Sequence, residues 1–164
     1  MSALDHGEFD AAYWQNRYAS GGGASRRDPS PSLLAEATDL APGTALDAGC
    51  GWGADAMWLA ARGWTVTAVD VSPAAVDQAR RHAEAADPQA SARVTWLPAD
   101  LTTWDPDEGF DLVTSHYVHV PGPQEALFAR LASWVVPGGT LLVVGHGYTP
   151  RQHGHGHDGP HGGN

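Results

Sequence analysis

Lysine is missing from the sequence, so its nine basic residues are all arginine, set against 19 acidic residues and a formal net charge of −10 with histidine neutral. Phosphate backbones bind through clustered positive charge, and the local clusters here are Arg26-Arg27 and Arg80-Arg81. Bulk nucleic acid is therefore not an expected partner. Cysteine is nearly missing too: Cys50 stands alone, which excludes an internal disulfide. No apolar run approaches the roughly 20 residues that span a bilayer, so no membrane association is expected. The opening Met1-Ser2-Ala3-Leu4-Asp5-His6 has neither a basic stretch nor an apolar one, so no secretory signal is expected and cytoplasm is the expected compartment. What is present suits one soluble domain, with 164 residues of which 42% are hydrophobic and 17% charged.

Hydrophobic spacing organises the chain. Phe9, Tyr13, Trp14 and Tyr18 share one face of a short helix, and a second helix is expected over 32–40 with Leu33, Leu34, Ala37 and Leu40 inward. From Thr44 onward strands and helices alternate. Strands are expected at 44–48, 65–71, 93–97, 110–116 and 140–144. Helices are expected at 54–62 with Met57, Trp58 and Ala61 inward, at 73–86 behind a Ser72-Pro73 start, and at 124–136 before a Pro137-Gly138-Gly139 turn. Trp58, Trp96 and Trp134 fall at core spacing. Such alternation implies an α/β fold: a Rossmann-like doubly wound parallel sheet in the order 3-2-1-4-5, helices on both faces, and a ligand crevice at the carboxyl ends of strands 1 and 4. The expected division is an N-terminal helical segment over 1–43, the α/β domain over 44–146, and a Gly/His-rich tail over 147–164 without regular structure.

The chemistry concentrates in Leu46-Asp47-Ala48-Gly49-Cys50-Gly51-Trp52-Gly53, at a strand-to-helix junction. Gly49 and Gly51 allow a sharp turn and close approach of backbone to a ligand. The next strand ends at Asp70, the spacing at which an acid meets ribose hydroxyls in nucleotide-binding βαβ units, and Asp100 ends strand 3. Counting Ala54, the loop also reads G-x-G-x-x-A, which would suit NAD. Asp47 weighs against that, because a carboxylate there repels a diphosphate but attracts a cationic amino-acid portion. Three acids around one crevice favour a positively charged nucleoside without phosphates, and S-adenosylmethionine fits.

Thr44 to Val71, Pro98-Ala99-Asp100, Phe110 to His116 and Pro137-Gly138-Gly139-Thr140-Leu141 resemble the successive motifs of class I S-adenosylmethionine-dependent methyltransferases. The opening Phe9 to Tyr18 is similar to that of small bacterial members near the tellurite-resistance and thiopurine methyltransferases. The resemblance implies that Gly49 and Gly51 line the methionine portion with Asp47 in support, that Asp70 holds both ribose hydroxyls, and that Val71 packs on the adenine. It further places Asp100 at the adenine amine, Leu101 beside the ring, and Ser115-His116 on the floor near the methyl group, with Trp14 and Tyr18 as a lid. The family's last two strands, an antiparallel pair, are expected to be missing, which leaves the fifth strand as an open edge and suggests a homodimer through it.

The reading is methyl transfer to a small-molecule acceptor. A neutral nucleophile needs a proton acceptor near pH 7, for which His116, His119 and His146 are candidates, with His116 and His146 at the ends of adjacent strands. Cys50 is read as a small packing residue rather than a nucleophile. In the tail, His153, His155 and His157 alternate with glycine and would bind Zn²⁺, Ni²⁺ or Cu²⁺ adventitiously. The alternatives are a non-catalytic nucleoside- or metal-binding module and, disfavoured by Asp47, an NAD(P)-dependent oxidoreductase.

Overall fold

The computed structural model describes residues 28–118, 120 and 122–145. Its elements in chain order are α1 (Pro31–Ala37), β1 (Thr44–Ala48), α2 (Ala54–Ala61), β2 (Thr65–Asp70), α3 (Pro73–Ala86), α4 (Pro88–Ser91), β3 (Val94–Pro98), β4 (Phe110–His116), α5 (Gln124–Ser133) and β5 (Val135–Val144). The five strands form one sheet in the order β3-β2-β1-β4-β5, with every pairing parallel. This is the expected Rossmann-like architecture, and β1 lies at its centre. Among the described residues no helix is long and apolar enough to cross a membrane.

Strand alternation sorts the side chains onto two faces. On one, Ala45, Val66, Ala68 and Leu112 meet Leu33 and Ala37 of α1 and Ala56, Leu59 and Ala60 of α2. On the other, Leu46, Ala48, Val69 and Val113 meet Leu127 and Leu131 of α5 together with Trp134. Helix α3 starts as its sequence dictates: the Ser72 hydroxyl accepts from Ala75 N–H, Pro73 follows, and Ala75, Val76, Ala79 and Ala83 are the buried stripe.

Several expectations need correction. Helix α1 stops at Ala37, although Leu40 still packs against the core. In α2 the fully buried residues are Ala56, Leu59 and Ala60, while Ala61 is exposed. Ala56 and Ala60 let the helix lie close to the sheet, while Met57 and Trp58 pack half-buried against the same core, as expected, with the Arg62 guanidinium over the Trp58 ring at 5.0 Å from its centroid. Among the described residues the largest fully buried side chain is Trp64, which periodicity did not single out. Helix α5 ends at Ser133 rather than Val136, because Phe110 N–H bonds Trp134 O at 2.8 Å and draws the chain into the sheet. Pro137-Gly138-Gly139 is therefore not a turn before the strand. It is an irregularity inside β5, between the pairs Phe110↔Val135 and Leu112↔Thr140. Among the described residues β5 pairs with β4 alone.

Candidate functional site

The sheet's central strands end in a turn that only glycine accommodates easily. Gly49 sits at φ +86°, and a Cβ there would come within 2.3 Å of Val118 Cγ2 in the loop after β4. The turn is pinned by Gly49 and Cys50 N–H groups, which both donate to Val69 O. Four residues on, Gly53 presses its Cα face against Trp96, where a Cβ would fall 2.8 Å from the indole.

Around this turn the structure gathers carboxylates. Asp47 is buried at the end of β1 and accepts the Ala56 N–H in the first turn of α2, while its Oδ2 has no hydrogen-bond partner among the described residues. Burial pushes its pKa well above the ordinary range, and the negative charges of Asp55 and Asp70 push it further. Asp70, also buried, accepts from Gly51 N–H (3.0 Å) on one oxygen and from Ser72 N–H (3.0 Å) on the other. Burial raises its pKa, against the lowering effect of those amides and that of Val71. Each oxygen of a carboxylate has two acceptor sites, so Asp70 retains capacity for hydroxyl donors. Cys50 lies in the same field. Burial, with the negative charges of Asp47 and Asp70, holds its thiol well above its usual pKa, and the side chain packs in the core cluster beside α2.

The end of β4 contributes the base candidate. Thr114 pairs with Asp47 across the sheet, and His116 follows two residues later on the same face. His116 Nδ1 lies 3.3 Å from Asp55 Oδ2 and 3.3 Å from Thr114 Oγ1, while its Nε2 is buried without a partner among the described residues. Burial lowers the imidazole pKa and the Asp55 charge opposes that shift. Immediately beyond, Tyr117 adopts φ +54°, an uncommon backbone state for a bulky residue, and its N–H donates to Val144 O at 2.7 Å.

Not every residue named from sequence converges on this point. Ser115 is buried, and alternation along β4 turns its side chain to the face opposite that of His116. Asp100 is exposed and its Oδ1 accepts both the N–H (2.9 Å) and the hydroxyl (2.7 Å) of Thr102. Leu101 is buried in the α5-side core, and its carbonyl accepts from Arg130 Nε. Val71 is half-buried directly after Asp70. Trp14, Tyr18, His119, His146, His153, His155 and His157 lie outside the described residues, and so do the expected lid and metal-binding tail. Among the described residues no group of three or more His, Cys, Asp or Glu could hold a metal ion.

Sequence reasoning missed Asp55. An acid in the first turn of a helix is explained by the helix dipole alone, so nothing in the spacing sets it apart. Val118 was missed as well, since its contact with Gly49 is visible only in three dimensions.

The glycine turn and its buried acids thus lie at the carboxyl end of the central strands of a 3-2-1-4-5 parallel sheet, where doubly wound folds open a ligand crevice. Residues 45–139 match the family described as "Methyltransferase domain", and the chain belongs to it. It is 39% identical over 116 residues to an uncharacterized methyltransferase of Mycobacterium bovis, covering 69% of this chain and 55% of that one. It is 35% identical over 121 residues to a trans-aconitate 2-methyltransferase of Methylobacterium radiotolerans, covering 72% of this chain and 44% of that one. A solved structure of a SAM-dependent methyltransferase from Thiobacillus denitrificans with S-adenosyl-L-homocysteine superposes with a TM-score of 0.63 at 25% identity, over 78% of this chain and 53% of that one. The chain thus spans about half the length of the curated relatives it matches.

Proposed function

We propose that this chain binds S-adenosylmethionine in the crevice above β1, β2 and β4 and supports methyl transfer to the oxygen or nitrogen of a small-molecule acceptor. The observation that carries the proposal is electrostatic. Asp47 is buried, one of its oxygens lacks a partner among the described residues, and the charges that act on it are the negative ones of Asp55 and Asp70. Such a site is completed by a cationic ligand without phosphates, and a diphosphate would be repelled from it. When bound, S-adenosylmethionine supplies an electrophilic methyl group on a sulfonium. The chain's own residues do the rest. The Gly49 turn admits close backbone approach, Asp47 draws the amino group, Asp70 receives ribose hydroxyls, and His116 Nε2 takes the proton the acceptor gives up.

Calorimetry with S-adenosylhomocysteine, NAD and Zn²⁺ tests this reading against its rivals. Binding of the first and not of NAD is expected, with or without adventitious Zn²⁺ on the tail, whereas NAD binding or metal binding without nucleoside affinity overturns it. Asp70→Ala is expected to remove about 1.5–3 kcal/mol of nucleoside affinity through lost charge-assisted hydrogen bonds.

A further inference from the structure

We infer that Asp55 is a positioning residue for His116, its carboxylate fixing the imidazole proton on Nδ1 so that Nε2 is presented as the acceptor. The inference rests on the methyl-transfer reading for its purpose, but on geometry for its content. Asp55 stands in the first turn of α2, and His116 ends β4. The Nδ1–Oδ2 separation is 3.3 Å, with side-chain exposures of only 9% and 13%, so water screens the pair weakly.

The carboxylate is itself held. Its Oδ1 accepts Ser30 N–H at 2.6 Å, and its Oδ2 accepts the Ser30 hydroxyl at 2.9 Å. Ser30 caps the approach to α1, so three separate stretches of chain converge on one contact: the residue before α1, the start of α2 and the end of β4.

The two imidazole nitrogens consequently stand in unlike surroundings. Nδ1 faces a carboxylate and the Thr114 hydroxyl, and Nε2 has no partner among the described residues. A proton on Nδ1 meets a negative charge, while a proton on Nε2 would be buried without an acceptor. The neutral ring therefore carries its hydrogen on Nδ1, and burial favours that neutral ring. In the transfer step the acceptor atom forms its new bond to the methyl carbon as the carbon–sulfur bond breaks. The acceptor's proton passes to Nε2, and Asp55 stabilises the imidazolium that results.

Long-range proton–nitrogen NMR of the ¹⁵N-labelled full chain at about pH 8, above the ordinary histidine pKa, reads the tautomer directly. The His116 signals are assigned by their loss in His116→Gln. The wild-type chain is expected to show Nδ1–H as the dominant form, and Asp55→Asn to change the tautomer ratio by about 10-fold toward Nε2–H. Asp55→Glu is expected to restore part of it, and Ser30→Ala to give a smaller change than Asp55→Asn. A wild-type ring protonated on Nε2, with Thr114 donating to Nδ1, overturns the inference even if the variants do not fold. An unchanged ratio in folded Asp55→Asn overturns it equally. Because the readout needs no cofactor, absent S-adenosylhomocysteine binding would overturn the methyl-transfer reading separately.

Discussion

The two ends of the β1–β4 strand pair hold acids in opposite circumstances. At the amino end, Asp111 is exposed, and its Oδ2 accepts both the N–H (2.9 Å) and the hydroxyl (3.2 Å) of Thr44, whose oxygen in turn accepts Asp111 N–H at 3.2 Å. At the carboxyl end, Asp47 is buried and half-partnered, with Asp55 and Asp70 nearby. The first arrangement is closed on itself and serves to staple two strands. The second crowds acids into a buried site where desolvation and mutual repulsion work against their charge, a cost that a cationic ligand would relieve.

The sharpest way to break the contrast is Gly49→Ala. The left-handed backbone and the 2.3 Å approach to Val118 together should cost about 2–4 kcal/mol of stability and abolish nucleoside binding. A urea denaturation midpoint and a calorimetric titration check both effects, and a fully stable variant would show that the turn is looser than described. Asp47→Asn should cut the other way, raising the melting temperature at neutral pH by several degrees while weakening S-adenosylhomocysteine binding. The sign follows from linkage. Because the folded-state pKa lies above the unfolded one, the wild-type chain loses stability as pH rises from the ordinary carboxylate value of 3.8 through the raised value. Asn is spared that loss, so its advantage should vanish in acid, and thermal melts across pH would reveal an advantage that persists there. The smallest effect belongs to the amino end, where Asp111→Ala should cost about 0.5–1.5 kcal/mol in chemical denaturation and leave nucleoside affinity unchanged. A change in affinity there would blur the distinction between the two ends.

How much of this was legible in sequence follows the range of the interactions. Strand order came from β-branched runs alternating with helices, a local pattern joined to general rules of crossover handedness, and the sheet has that order. The start of α3 was readable because Ser72 and Pro73 act within one turn. Asp47, Gly49, Gly51 and Asp70 were found by spacing, and they do converge, since a βαβ unit fixes their separation. The long-range contacts were not visible. Asp55 meets Ser30 and His116 across 25 and 61 positions (55 − 30; 116 − 55), and no periodicity encodes that. Val135 and Val136 continue the helical stripe of α5 but are β-branched, and docking on Phe110 decides for the sheet. Ser115 and His116 are placed together by the resemblance, while alternation along β4 turns their side chains to opposite faces of the sheet.

The irregularity in β5 has its own consequence. Between paired positions β5 has four residues (136–139) where β4 has one, Asp111, so three surplus residues bulge from the edge strand near its start. Beyond that point the register is regular, with Thr114 aligned with Leu142 and His116 with Val144. The joint is nonetheless tightly seated, since a Cβ at Gly139 would fall 2.7 Å from Val135 Cγ1 and 2.9 Å from Asp111 O, so glycine there is what lets the surplus residues fold back without displacing the alignment that frames the crevice.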